Sequence, residues 1–199
     1  MAEFNEDLDE VLEASMVDVL SESQSKAIGR RFISSSDISS LLSSNNIKHV
    51  IIGAHALGGI TSEPRATQDV DVVVKEGDYD KTVDLITKTY PDTYDDGNRI
   101  KDKTGNVLVD VLTDRNPIYR MVMRYGKITP EMMLVMKFLS SKSPLRRKDK
   151  KIQDKADFFN VAGKSNIDLE ESLHLLRQSD EEFVLHRDEM VDWIKDAKE

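Results

Sequence analysis

The chain has 199 residues, 39% hydrophobic and 33% charged, with a net charge of −9 and no cysteine. That balance predicts a soluble globular protein with a real core, and it excludes disulfides, thiolate metal sites and a broad non-specific nucleic-acid surface, which needs a positive field. No apolar run approaches the ~20 residues of a membrane span, and the acidic start MAEFNEDLDE has neither a basic nor an apolar signal region, so no membrane and a cytoplasmic location are expected.

In chain order, residues 5–22 predict an acidic amphipathic helix, with Leu8, Val11, Leu12, Val19 and Leu20 at helical spacing and no Lys or Arg before residue 23. SSSDISSLLSSNN has the composition of a linker, but Ile38, Leu41 and Leu42 keep a helical period and Ser36 or Asp37 can cap it. IKHVIIG, 47–53, reads as an apolar strand ending in Gly53, and AHALGGITS as a short helix or turn. DVDVVV is a second strand, 77–90 a helix, PDTYDDGN a turn and 106–114 a later strand. Beyond about residue 125 every element reads as helix. TPEMMLVMKFLSS opens on Thr129 as N-cap with Pro130 in the first turn, and KKIQDKADFFNVA, DLEESLHLLRQ and DEEFVLHRDEMVDWIKDA follow. The expected division is an acidic N-terminal helix or extension over 1–25, an α/β core over 26–125 and a C-terminal helical region over 126–199. The fold class is α/β (α+β), a small mixed sheet flanked by helices with a helical bundle after it.

Asp69 and Asp71 raise a chemical question. Residues two apart on a strand point to the same face, so the two carboxylates repel each other across a few ångströms. A hard divalent cation relieves that repulsion, and two cations about 4 Å apart can share such carboxylates to clamp the attacking and leaving oxygens of a phosphoryl or nucleotidyl transfer. Asp110, between the apolar Leu108 and Leu112 on its own face, is placed to supply a third carboxylate from another strand. The plain alternative is a strand start with solvated acids. Upstream, VIIGAHALGG runs a strand into Gly53 and then a helix start, a geometry that lets backbone N–H groups approach a phosphate. It is not a P-loop, since Gly59 stands where the lysine belongs, and its glycine spacing is wrong for a dinucleotide fingerprint.

A strand–Gly–helix, then Asp-x-Asp about a dozen residues on, then a later strand aspartate, resembles the nucleotidyltransferase superfamily of DNA polymerase β. The fuller stretch GAHALGGITSEPRATQDVDVVV, with TPEMMLVMKFLSS and RRKDKKIQDKADFFNV downstream, is similar to the AbiEii/MenT-type bacterial nucleotidyltransferases over roughly residues 45–163. The resemblance implies that Asp69, Asp71 and Asp110 ligate Mg²⁺ or Mn²⁺, and that Gly53 and Ala54 lie against the triphosphate of an NTP. It implies that Arg65 contacts phosphates, that Thr67 positions the loop before the strand, and that Lys137 reaches the nucleotide phosphates with Asp154 beside it. Many members carry Gly or Ser where this chain has Ala54, which leaves backbone contacts without a hydroxyl. The implied reaction moves a nucleotidyl group to a hydroxyl of a tRNA 3′ end or a protein. A toxin role beside an antitoxin or regulatory protein follows from the resemblance alone. The alternative is an inactive relative that binds a nucleotide or a partner.

Periodicity places Lys137 on the packed side of its helix, where a lysine needs an anionic partner, and puts Asp154 on one face with Asp157, Phe158 and Val161. The plain alternative is a structural Lys137–Asp154 ion pair linking the two helices, which is compatible with function. Residues 137–155 carry Lys137, Lys142, Arg146, Arg147, Lys148, Lys150, Lys151 and Lys155 against Asp149 and Asp154, a solvated face or an anion receiver. His55 is either a helix-start residue or a nucleotide contact. His49, His174 and His186 lack metal-ligand spacing, and Trp193 with Phe183 and Val184 reads as core packing by the last helix.

Overall fold

The structure, a computed structural model, describes residues 16–28, 31–61 and 66–199. It divides into two compact units, Met1–Lys127 and Ile128–Glu199. The first half of the expected acidic helix and Arg65 lie outside the described residues. The class is α+β: a five-stranded mixed sheet with helices in the first unit, and helices alone in the second. Among the described residues no helix is long and apolar enough to cross a membrane.

The first unit opens with helix α1 over residues 16–27, then α2 (Ser35–Ser44), β1 (His49–Ile52), α3 (Gly53–Thr61), β2 (Val70–Val74), a 3₁₀ turn at Glu76–Asp78, α4 (Tyr79–Thr89), β3 (Thr93–Asp95), β4 (Arg99–Asp102), β5 (Val107–Thr113) and α5 (Pro117–Tyr125). The sheet order is β1-β2-β5-β4-β3. β2 and β5 run parallel, and the other neighbours are antiparallel. β2 occupies a central position because its valines suit both buried faces of a pleat. Val70, Val72 and Val74 pack with Ile38 and Leu42 of α2, Val83 and Ile86 of α4, and Val109 and Val111 of β5. Leu108 joins this cluster too, next to a register shift at Ile100/Lys101 that breaks the alternation expected along β5.

Four expectations are corrected here. The inward face of α1 is Val17, Ser21 and Ser25, while Val19 and Leu20 are 66% and 42% exposed. α2 is capped by Ser34, whose hydroxyl accepts from the Asp37 amide, and not by Ser36 or Asp37. Part of PDTYDDGN is the edge strand β3, paired with β4. α5 was not among the expected elements, although Asn116 accepts from the Ile118 amide at its start, Pro117 follows, and Gly126 closes it at φ 77°.

The β4–β5 hairpin turns on one carboxylate. Asp102 is buried and accepts from the Thr104 amide at 2.8 Å, the Thr104 hydroxyl at 2.6 Å, and the Asn106 amide and side chain at 3.0 Å each. Burial pushes the Asp102 carboxyl up, but these donors outweigh it and bring it down to about 2. A depressed carboxylate stabilises the fold above its unfolded value of 3.8, and that share is lost as pH falls through about 2. Asp102→Ala is expected to cost about 1–3 kcal/mol at neutral pH and to flatten the pH 2–4 limb of stability, read from urea midpoints across that range.

The second unit comprises α6 (Pro130–Lys142), α7 (Lys148–Lys164), α8 (Leu169–Ser179) and α9 (Phe183–Asp196). Thr129 caps α6, accepting from the Met132 amide, and Asp168 caps α8, accepting from the Glu171 amide. Its core is mainly aliphatic, with Phe138 and Phe158 at its centre and the half-buried Trp193 packed against them. Trp193 lies 5.2 Å from Phe138 and 5.3 Å from Phe158, edge to face, and the ammonium groups of Lys142 and Lys155 sit over its ring at 4.6 and 4.5 Å. Val184 is 84% exposed, so Trp193 packs with Phe138 and Phe158 and not with that residue.

Candidate functional site

The chain turns from β1 into α3 at Gly53, whose φ of +70° is the left-handed region that glycine occupies without strain. A Cβ built there falls 2.0 Å from Asp71 Oδ2 and 2.9 Å from its Cγ. The absent side chain is therefore the space the Asp71 carboxylate occupies. Ile52 is the cross-strand partner of Asp71, so pairing of β1 with β2 fixes this approach.

Asp71 is also the register partner of Asp110 on the parallel strand β5. Neighbouring strands lie about 4.8 Å apart and paired residues share a face, so the two carboxylates stand side by side. Both are half-buried. On the other side of β5, Arg99 is the partner of Asp110, and its Nε lies 3.4 Å from Asp110 Oδ1. Sequence reasoning missed this guanidinium, because no element was assigned to residues 99–102.

Asp69 lies one residue before β2 and is half-buried. The Thr67 hydroxyl donates to Asp69 Oδ1 at 2.8 Å and to its carbonyl at 3.3 Å. Thr67 thus touches Asp69 through its hydroxyl. Ala54 is buried at the first turn of α3. His55 is 2% exposed, and its Nε2 lies 3.1 Å from Asp18 Oδ1. Asp18 also accepts from the Ser35 amide and hydroxyl, each at 2.9 Å. Burial raises the Asp18 carboxyl, but the hydrogen bonds from His55 and Ser35 outweigh it and hold it below the ordinary aspartate range. Within this unit, His55 serves as a tether between helices.

Lys137 and Asp154 belong to the second unit. Lys137 Nζ lies 2.7 Å from Asp157 and 3.4 Å from Asp154, with its side chain 11% exposed. The nearer partner is Asp157, which also accepts from Gln153 Nε2 at 2.9 Å. Asp154 is held at 2.9 Å by Arg146. Lys137, Asp154 and Asp157 thus form one buried cluster on the α6–α7 contact, which the partly exposed Arg146 meets from outside. The i, i+3 spacing of Asp154 and Asp157 was visible in the sequence. The part of Arg146 was not, because it comes from the turn before α7.

The donors on β2 and β5 suit a magnesium-type cation. They are hard carboxylate oxygens, brought together by register, beside a backbone approach that a Cβ would fill. Among the described residues no three acidic or histidine side chains close into a full cage. A cation held partly by water and by substrate phosphates does not require one. No family model matches this chain, and no curated protein matches it.

Proposed function

We propose that the first unit is a metal-dependent nucleotidyltransferase that moves a nucleotidyl group from an NTP to a hydroxyl acceptor. The observation that carries this reading is the register pairing of Asp71 with Asp110 against the side-chain-free face of Gly53. Asp71, Asp110 and Asp69 would hold Mg²⁺ or Mn²⁺, which supplies charge neutralisation on the phosphates when bound. Gly53 and Ala54 offer backbone N–H groups to the triphosphate, with Arg65 as a further phosphate contact, while Thr67 fixes Asp69. The acceptor oxygen forms a bond to the α-phosphorus, the bond from that phosphorus to the bridging oxygen breaks, and pyrophosphate leaves. Asp110 would help to activate the acceptor hydroxyl by taking its proton. Lys137 would reach the nucleotide phosphates, with Asp154 beside it, only by releasing the Asp157 carboxylate that holds it at 2.7 Å. The acceptor, a tRNA 3′ end or a protein side chain, an action in the cytoplasm, and a toxin role beside an antitoxin belong to the same reading.

The test uses each NTP labelled on its α-phosphate, with Mg²⁺ or Mn²⁺ and a cell extract. Label is expected to move to RNA or protein, and Asp71→Asn or Asp110→Asn is expected to reduce transfer by about 10³-fold or more while the unfolding midpoint changes little. A second reading, an inactive nucleotide- or partner-binding relative, is favoured by one contact. The Arg99 guanidinium stands 3.4 Å from Asp110, where it already meets the charge a cation would neutralise. Metal-dependent NTP binding without transfer would select it.

A further inference from the structure

We infer that helix α1 is a strap that positions the candidate site, with Ser21 and Asp18 as positioning residues; this rests on the carboxylate-site reading above. Among the described residues the buried face of α1 is Val17, Ser21 and Ser25, so two of these three buried residues carry hydroxyls where apolar groups would dock a helix more simply. A buried hydroxyl is costly unless it is bonded in one register. Ser21 meets that requirement. Its hydroxyl donates to the Val17 carbonyl at 2.6 Å and accepts from the Thr67 amide at 2.9 Å. Thr67 passes the restraint on, since its own hydroxyl holds Asp69 Oδ1 at 2.8 Å. Residues 66–69 belong to no helix or strand, so these bonds set where the Asp69 carboxylate stands.

One turn away on α1, Asp18 makes the second tether. It holds His55, two residues after Gly53, and its oxygens also take the Ser35 amide and hydroxyl at the start of α2. α1 therefore grips both segments that flank Asp71: the turn at Gly53 and the loop at Asp69. The described part of α1 is therefore part of the architecture that aligns the carboxylates. Outer residues that orient ligands typically change metal affinity by about 10–100-fold when removed.

Ser21→Ala in the full chain keeps a helix-favouring residue, and Ser172→Ala is the matched control, a fully buried serine in the second unit that donates to the Asp168 carbonyl. Two readouts apply: amide hydrogen exchange at Thr67 by NMR, and Mn²⁺ binding followed by the free-ion EPR signal, with Asp71→Ala as reference. Ser21→Ala is expected to speed Thr67 exchange about tenfold and to weaken Mn²⁺ by about tenfold, with Ser172→Ala changing neither. Unchanged Thr67 exchange in Ser21→Ala overturns the inference, as does equal weakening of Mn²⁺ by Ser172→Ala. A wild type showing no Asp71-dependent Mn²⁺ binding instead removes the metal-site reading, and Thr67 exchange then decides the strap alone.

Discussion

Replacing Lys137 by alanine is expected to destabilise the protein by about 3–5 kcal/mol, the range for breaking a buried ion pair by removing one partner. The Lys137 side chain is 11% exposed and its two carboxylate partners 3% and 2%. Without the ammonium, the buried Asp154 keeps the partly exposed Arg146 at 2.9 Å, and Asp157 keeps the Gln153 amide while losing its 2.7 Å cation. Replacing Lys137 and Asp157 together by Met and Leu is expected to recover most of the loss, because an apolar pair of similar volume avoids burying charge while Arg146 and Asp154 stay matched. Guanidinium unfolding with unchanged m-values reads both variants. The result bears on function. To serve a triphosphate, Lys137 must give up at least the Asp157 contact at 2.7 Å. A cost near the upper end means the lysine is committed to the fold. A cost below about 1 kcal/mol, the scale of an exposed pair, means the ammonium is free to follow an anionic ligand.

The sequence signal for the candidate aspartates is the period of two of a strand. That period singled out Asp69, Asp71 and Asp110, but Asp69 lies one residue before β2, and Leu108 is buried beside the register shift instead of sharing Asp110's half-buried environment. Two things were not legible. The register that sets Asp71 beside Asp110 joins residues far apart in the chain, and pairing is decided by the whole sheet rather than by either strand. The Arg99 contact depends on β4, whose sequence RIKD buries Ile100 and Asp102 and looks like a charged loop. The face of α1 failed for a related reason. Helical spacing found Val19 and Leu20, but the side that packs is Val17, Ser21 and Ser25, where hydrogen bonding and not apolar content selects the register. α5 was different, since Asn116, Pro117 and Gly126 are start and stop signals present in the sequence.

Gly53→Ala is expected to cost about 2–4 kcal/mol, from two separable sources. A left-handed φ of +70° costs an alanine about 1–2 kcal/mol on its own. The remainder comes from Asp71, because the new Cβ falls 2.0 Å from its Oδ2 and 3.2 Å from its Cβ, and something must move. Asp71→Ala removes the two closest atoms and keeps the third, so the double variant should retain the backbone penalty and lose most of the clash. A double-mutant cycle on the unfolding free energy is therefore expected to show coupling of about 1–2 kcal/mol, with the pair less destabilised than the sum. Simple additivity would mean that the carboxylate gives way without cost and that Gly53 is required for its backbone alone. The same substitution separates fold from chemistry. Pushing Asp71 off its register with Asp110 by even an ångström should lower nucleotidyl transfer by about 10²-fold in protein that is still folded. Transfer that survives Gly53→Ala at the wild-type rate would show that the carboxylate pair does not govern the reaction.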